Sequence, residues 1–151
     1  MRLREVEEGD LELLLAWAHI SQIWRYLPTS RKGESLTWEK HRLWWDRLRN
    51  RLDWMIIYQE RRVGVLHITG LDSIEPEIGL YIGETTLWGQ GVGKRALSLG
   101  IEKAKELGIE KLQAMIHPKN CRSVRLFQSL GFKKTGKGRK GQDCYMWEGG
   151  K

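Results

Sequence analysis

Three glycines in five positions form a stretch of this chain that could bind an anion. Gly89, Gly91 and Gly93 lie in LWGQGVGKRAL, residues 87–97, and residues of helical character follow directly. A glycine-rich turn between a strand and a helix presents several free backbone N–H groups at the positive end of the helix dipole. The stretch therefore predicts an anion site, and the adjacent Lys94 and Arg95 suit a ligand that carries phosphate.

The spacing of these glycines excludes the two commonest nucleotide loops. A Walker A loop needs a glycine five residues before its Gly-Lys pair and Ser or Thr after it, but Trp88 and Arg95 occupy those positions. A dinucleotide fingerprint places G-x-G-x-x-G at the first strand-helix turn of a βαβ unit. Here the third glycine comes one residue early and follows several antiparallel strands. The anion therefore belongs to another class of ligand.

The glycine turn joins a predicted strand to a predicted helix. Before the turn, apolar residues alternate with other types, and the apolar face has Ile78, Leu80 and Ile82. After it, a stripe of small and apolar residues recurs at helical spacing and can end at Gly108. These two elements would hold the turn at one edge of a sheet.

The rest of the chain predicts a mixed sheet with helices on both faces. The strands are LREV, the hairpin DWMIIYQERRVGVLHITGL, EKLQAMIH and two closing strands in GFKKTGKGRKGQDCYMW. Two helices precede the hairpin, LELLLAWAHI and one from Thr37 with Trp38, His41, Trp45, Leu48 and Leu52 on one face. A last helix runs from Asn120 to Leu130 and ends at Gly131. The order βααβββαβαββ predicts an α/β (α+β) fold.

Composition indicates a compact protein with an affinity for anions. The chain has 151 residues, 40% hydrophobic and 30% charged, with three prolines, which predicts one folded domain. Its net charge of +7 favours phosphate-rich partners. Two cysteines are too few for a disulfide framework and are not spaced as metal ligands, so we expect no metal site. The absence of a signal-peptide pattern or a bilayer-length apolar run predicts a cytoplasmic protein without a membrane partner.

Two motifs together resemble the GNAT superfamily of N-acetyltransferases. The glycine turn is similar to the pyrophosphate loop of the family, [Q/R]-x-x-G-x-[G/A], with Trp88 in place of Gln or Arg. The stretch NCRSVRLFQSLGF, residues 120–132, resembles the segment N-x-x-[S/A]-x-x-[L/F]-[Y/F]-x-x-x-G-F. An N-capped helix with a glycine stop would satisfy these residues as well. Both motifs in this order, 29 residues apart from Gly91 to Asn120, favour the family.

The resemblance implies a GNAT fold with a mostly antiparallel sheet of six or seven strands in a single acetyltransferase domain, residues 1–151. Substrate-side helices would occupy residues 1–52 and the coenzyme-binding core residues 53–147. Acetyl-CoA would be the co-substrate, held through Tyr81, Ile82, Gly83, Gly89, Gln90, Gly91, Val92, Gly93, Lys94 and Asn120. In that family the strand backbone pairs with pantetheine, the turn binds pyrophosphate and the Asn reaches the pantetheine arm.

The implied reaction is acetyl transfer to a primary amine by direct attack in a ternary complex. An alkylammonium has a pKa of about 10.4, so at neutral pH some group must take its proton before the amine can attack. Glu77, 14 residues before Gly91, stands where histone-type members carry a glutamate base; the alternative is a glutamate paired with a nearby Lys or Arg. The usual tyrosine acid is Phe127 here, which leaves Tyr81, Tyr145 or solvent. His117 is either a cleft residue or a hydrogen-bonded structural histidine.

The acceptor is predicted to be a small-molecule or peptide amine. Trp24 and Tyr26 lie in the irregular stretch SQIWRYLPTSRKGE and would form a pocket wall. The W-G-x-G form of the turn resembles the corresponding turn in those branches of the family that acetylate amino sugars, their nucleotides or protein N-termini. Nucleic acid is not expected as a partner, and a homodimer is left open. The alternative function is a non-catalytic module that binds coenzyme A or RNA, motivated by the charge and by Phe127.

Overall fold

The computed structural model describes residues 1–26 and 50–149. Its strands are β1 Arg2–Glu5, β2 Arg51–Tyr58, β3 Arg61–Thr69, β4 Glu77–Ile82, β5 Lys111–Ile116, β6 Lys133–Lys137 and β7 Asp143–Glu148. Its helices are α1 Leu11–Ala18, α2 Ser21–Trp24, α3 Val92–Glu106 and α4 Cys121–Ser129. The helix predicted from Thr37 lies outside the described residues except for Leu52. That residue is in β2, so the predicted helix extended too far.

All seven strands form one sheet in the order β1-β2-β3-β4-β5-β7-β6. Every neighbouring pair is antiparallel except β4 and β5, which are parallel. The predicted mixed, mostly antiparallel sheet is therefore confirmed, with the larger of the two expected strand counts. The parallel pair is also where the chain passes through the glycine turn and α3 to return to the same edge of the sheet.

Helices pack on both faces of this sheet, as predicted. Helices α3 and α4 cover one face, where their apolar residues meet Ile56 and Ile78. Helix α1 covers the other face and packs against Met55 and Val65. Because adjacent residues of a strand point to opposite faces, Met55 and Ile56 place these two clusters on opposite sides of the sheet. Within the described ranges, no helix combines the length and apolar character needed to cross a membrane.

The sheet opens between β4 and β5. One register pair, Glu77 with Gln113, joins the two strands, and the backbone N–H of Gln113 donates to the carbonyl of Pro76 at 2.9 Å. The Gln113 carboxamide nitrogen adds a bond to the Glu75 carbonyl at 2.8 Å. No further pair between β4 and β5 occurs in the described part of the sheet. The strands therefore form a wedge whose wide end lies at their carboxyl ends, where α3 and α4 begin.

A buried carboxylate anchors the start of α1 to the sheet. Asp10 is 3% exposed and accepts hydrogen bonds from the Arg4 guanidinium at 3.0 Å. It also accepts one from Arg62 at 3.1 Å and one from the backbone N–H of Glu7 at 2.8 Å. Burial acts to raise the pKa of Asp10, but the bonds from Arg4, Glu7 and Arg62 outweigh it, so the pKa lies below its usual 3.8. The network ties together β1, β3 and the turn before α1.

An Asp10→Asn variant tests this anchor. Because the folded-state pKa of Asp10 is lowered, its contribution is complete above pH 3.8 and is lost as pH falls through the folded-state value. We expect the variant to lose about 1–3 kcal/mol of unfolding free energy near neutral pH. Its stability should also decline less than that of the wild type on acidification. Urea unfolding at several pH values measures both effects, and parallel curves for the two proteins would contradict the assignment.

Candidate functional site

A cavity of about 800 Å³ occupies the wide end of the wedge. One wall is the end of β4 with the turn that follows, and the opposite wall is the start of α4. The first turn of α3 forms its floor, and α2 with the residues after it contributes to the rim. Sequence elements that are far apart in the chain therefore meet here. Within the described residues, no group of three or more His, Cys, Asp or Glu side chains is arranged to hold a metal ion.

The glycine turn presents open backbone N–H groups to this cavity. Gly91 is the N-cap of α3, with φ 80° and ψ 4°, and no side chain caps the helix. The first four N–H groups of a helix have no partner inside the helix, and Gly91, Val92, Gly93 and Lys94 line the cavity. A Cβ on Gly91 would meet nothing within 4 Å. The position therefore favours glycine because of its positive φ and not because of steric crowding. The start of α3 therefore has the N–H donors that the predicted anion site would require.

The open edge of β4 supplies a second set of backbone groups. The Gly83 N–H donates to the Val63 carbonyl at 2.8 Å, so the backbone groups of Gly83 and Tyr81 pair with β3. Alternation in an antiparallel ladder then directs those of Leu80 and Ile82 into the wedge. Of the three strand positions expected to pair with pantetheine, only Ile82 has this orientation. Leu80, which was not among the expected positions, has the same orientation as Ile82. The direction of each backbone group depends on the strand register, which the sequence does not reveal.

Gly83 and Tyr81 instead contact the helices on the other face. A Cβ on Gly83 would lie 2.2 Å from the indole of Trp17, so a side chain there would displace the ring. The Tyr81 ring meets Trp17 edge-on at 6.0 Å and lies 5.1 Å from Trp24. Tyr81 also lines the cavity. Its side chain therefore stands where the wedge opens towards α1 and α2.

Five cationic side chains line the cavity: Arg25, Lys94, Lys119, Arg122 and Arg125. None of the last four has an acidic partner among residues 1–26 and 50–149. Of these four, Lys94 alone is predicted from the sequence as a site residue. The spacing of Arg122 and Arg125 by three residues places both on one face of α4, and this was the available signal. Uncompensated positive charge at this density favours a polyanionic ligand.

Trp88, the residue that departs from the family motif, has two contacts in the cavity wall. Its indole N–H donates to the Ile82 carbonyl at 2.9 Å. The guanidinium carbon of Arg122 lies 4.5 Å from its ring centre. The first contact is to β4 and the second is to α4, so the indole ring connects the two walls.

Asn120 caps α4 and lines the cavity. Its side-chain oxygen accepts a hydrogen bond from the Ser123 N–H at 3.4 Å. This is the N-cap role that the residues alone also allow. The position of Asn120 in the cavity wall is compatible with a ligand contact through its amide nitrogen.

Glu77 lies at the narrow end of the wedge, outside the cavity wall described above. Its carboxylate Oε1 accepts a bond from Arg139 Nη2 at 2.5 Å, and its side chain is 21% exposed. The partner comes from the loop between β6 and β7. This is the ion pair that the sequence left open as an alternative. Glu77 shares a face of β4 with Tyr81, with Gly79 between them.

The other proton-transfer candidates divide between core and cavity. Phe127 and Tyr145 are each 4% exposed in the core beneath α3 and α4, and Phe127 packs edge-on against Phe132 at 4.9 Å. Neither belongs to the cavity lining, whereas Tyr81 does. His117 Nδ1 accepts the backbone N–H of Lys119 at 3.0 Å, which assigns the proton of the neutral ring to Nε2. That bond occupies the lone pair that a base would use.

Trp24 and Tyr26 take different positions near the cavity. The Trp24 indole donates to the Trp17 carbonyl at 3.1 Å and packs against Tyr81. Tyr26 lines the cavity, and its ring centre lies 5.3 Å from that of His117. Tyr26 therefore extends from the α2 side to the end of β5, across the opening of the wedge.

Comparisons with known proteins agree with this geometry. A family model described as an acetyltransferase (GNAT) domain matches residues 1–133. An uncharacterized protein of Methanocaldococcus jannaschii is 41% identical over 95% of this chain. The chain spans 30% of the length of that curated relative.

Solved structures with the same fold include a close and a distant likeness. The crystal structure of a domain from Methanocaldococcus jannaschii is 38% identical with a TM-score of 0.89, and the match covers 97% of both chains. The aminoglycoside acetyltransferase AAC(6')-Ib, in complex with paromomycin and acetyl-CoA, has a TM-score of 0.82 at 17% identity. That match covers 97% of this chain and 92% of the other.

Proposed function

This chain belongs to the GNAT acetyltransferase family, and we propose that it transfers an acetyl group from acetyl-CoA to a primary amine. One observation carries the proposal. Uncapped N–H groups at the start of α3, four unpaired cations and the open β4 edge meet in a single cavity. These groups match a ligand with a pyrophosphate at one end and an amide-containing arm. When bound, acetyl-CoA would supply an activated acyl group and a thiolate leaving group.

Each part of the cavity then has a role toward the coenzyme. We assign the pyrophosphate to the turn from Gly89 through Gln90 to Lys94, and the pantetheine arm to the β4 edge and Asn120. The N–H groups of Leu80 and Ile82 are oriented to stabilise negative charge on a carbonyl oxygen placed against the strand. The coenzyme-binding core would thus lie within residues 53–147, with residues 1–52 on the acceptor side.

The acceptor amine would approach from the face of the sheet that α1 and α2 cover. Tyr81 and Tyr26 line the cavity towards that face, and Glu77 lies on the same face of β4. We propose that Glu77 takes the ammonium proton through bridging water, using Oε2, which has no partner in the described residues. Trp24 supports the Tyr81 ring, so its role toward an acceptor is through Tyr81. Tyr26 would contact the acceptor directly.

We propose that the acceptor is a small molecule or a peptide that carries a primary amine. The distant likeness AAC(6')-Ib binds the aminoglycoside paromomycin. Amino sugars, their nucleotides and protein N-termini are the acceptors that the sequence favours for this chain. The unpaired cations in the cavity would also suit an acceptor that carries its own phosphate.

Release of free thiol from acetyl-CoA tests the proposal. The acceptor panel comprises amino sugars and their nucleotides, polyamines, aminoglycosides, amino acids and peptides with free N-termini. We expect turnover with at least one class and coenzyme A binding measurable by calorimetry. Coenzyme binding without turnover on any acceptor would favour the non-catalytic module, for which Phe127 in the core is the supporting observation. RNA binding with a steep salt dependence and no coenzyme affinity would contradict the acetyltransferase proposal and favour a non-catalytic module that binds RNA.

A further inference from the structure

Trp88 is the only residue of the glycine turn whose side chain connects both walls of the cavity among the described contacts. Its N–H group bonds to the Ile82 carbonyl on the β4 wall, and its ring face holds Arg122 on the α4 wall. Both contacts lie at the wide end of the wedge, next to the uncapped start of α3. The Trp88 ring therefore contacts two groups, the Ile82 carbonyl and the Arg122 guanidinium, that border the space where a ligand would bind.

The bond to Ile82 determines where the open strand edge ends. Leu80 and Ile82 direct their backbone groups into the wedge, but the Ile82 carbonyl already accepts the indole N–H at 2.9 Å. An extended ligand along β4 therefore meets a donor and an acceptor at Leu80 and a donor at Ile82. Beyond that donor, the strand edge is closed by a side chain of the protein itself. The Ile82 N–H is therefore the group that an acceptor on the ligand would meet at this end of the strand.

The contact with Arg122 orients a cation without neutralising it. A guanidinium over an aromatic face keeps its in-plane N–H groups free for other acceptors. A carboxylate in the same place would have used those donors and cancelled the charge. Arg122 has no acidic partner in the described residues. Its donors therefore remain available to a phosphate in the cavity.

We infer that Trp88 is a positioning residue for the coenzyme, which aligns the Ile82 end of the strand edge and presents Arg122 to the cavity. The inference rests on the proposed function, since it concerns the same ligand. Trp88 acts through Ile82 and Arg122, and its two contacts should act as one unit. Loss of either contact should weaken coenzyme binding, and loss of the second should then add little.

The test uses Trp88→Phe, Arg122→Met and the double variant, with coenzyme A as the calorimetric probe. Phenylalanine keeps a ring beneath Arg122 but removes the N–H donor to Ile82, whereas methionine removes the cation and leaves that bond. We expect each single change to raise the Kd for coenzyme A about three- to tenfold. The double variant should show less than the product of the two factors, because the sites are coupled. The KM for the acceptor should stay at its wild-type value.

Trp147→Phe is the matched control, because Trp147 is buried in β7 and does not line the cavity. Like Trp88→Phe, it should reduce the unfolding temperature, but it should leave the Kd for coenzyme A unchanged. If Trp88→Phe unfolds, Arg122→Lys decides, since it keeps the charge but loses the planar stack; unchanged Kd would then overturn the inference. Full affinity in Trp88→Phe, or factors that multiply in the double variant, would also overturn it while the proposed function stands. A wild-type protein that does not bind coenzyme A would overturn both.

Discussion

Valine in place of Gly91 is expected to raise the Kd for coenzyme A by about tenfold or more. Gly91 has φ 80° at the N-cap of α3, a conformation that costs an L-residue about 1–2 kcal/mol and costs a β-branched residue more. The turn would relax towards negative φ, and the N–H groups of Val92 and Gly93 would no longer converge on one point. Calorimetric titration of the variant with coenzyme A measures the loss. Unchanged affinity would refute the assignment of the turn.

Two control variants separate backbone strain from ligand contact. Gly108 has φ 78° in the turn after α3, with nothing within 4 Å of an added Cβ. Gly108→Val should therefore lose a similar amount of stability and keep its coenzyme affinity. Gly93 has no positive φ, and its Cβ would contact Leu126 Cδ2 at an ordinary 3.6 Å. Gly93→Ala should bind coenzyme A within about twofold of the wild type, because the change keeps the backbone donors and the family motif also has Ala at this position.

Glutamine in place of Glu77 is expected to lower kcat about 100-fold at neutral pH, the lower range for loss of a general base. The amide keeps the shape of the side chain and can still contact Arg139, but it cannot accept the ammonium proton. The defect should shrink as pH rises, because the free amine then needs no base. Steady-state rates across neutral and alkaline pH measure both effects. A rate equal to that of the wild type throughout would remove Glu77 as the base.

Arg139→Gln distinguishes a base from an ion pair that only stabilises the fold. This change removes the cation and leaves the Glu77 carboxylate in place. If Glu77 takes the proton, Arg139→Gln should keep kcat within a few fold, unlike Glu77→Gln. If the ion pair alone matters, the two variants should have equal stability and equal rates. The comparison therefore decides between the two interpretations that the sequence left open for Glu77.

The features that the sequence predicted depend on local chain geometry. Alternation in β4 placed Ile78 and Ile82 on the core face, and both are buried there. The period of α3 and the two glycines that bound it, Gly91 and Gly108, were also read correctly, because a positive φ at a helix end is a local requirement. The motif spacing then predicted the family, which the match to residues 1–133 confirms.

The features that the sequence did not reveal depend on contacts between distant elements. Whether Tyr81 or Leu80 directs its N–H into the wedge depends on the pairing of β4 with β3, and a shift of one residue reverses it. Arg122 and Arg125 were not among the predicted site residues, because only the placement of α4 opposite Trp88 brings them to the cavity. Leu52 fitted the helical stripe, but pairing with Ile68 in the hairpin places it in β2. In each case tertiary context overrides a local pattern.

The single register pair between β4 and β5 has a consequence for the mechanics of the molecule. The sheet consists of two half-sheets, four strands and three, which are joined by one register pair, by the two hydrogen bonds that Gln113 donates to Glu75 and Pro76, and by the helices packed on them. A ligand along the Leu80 and Ile82 edge would act as the missing eighth strand and close the seam. Because it would bind the folded chain and not the unfolded one, its concentration would set the stability of the protein by mass action. The coenzyme would then be a structural member of the sheet as well as a reactant.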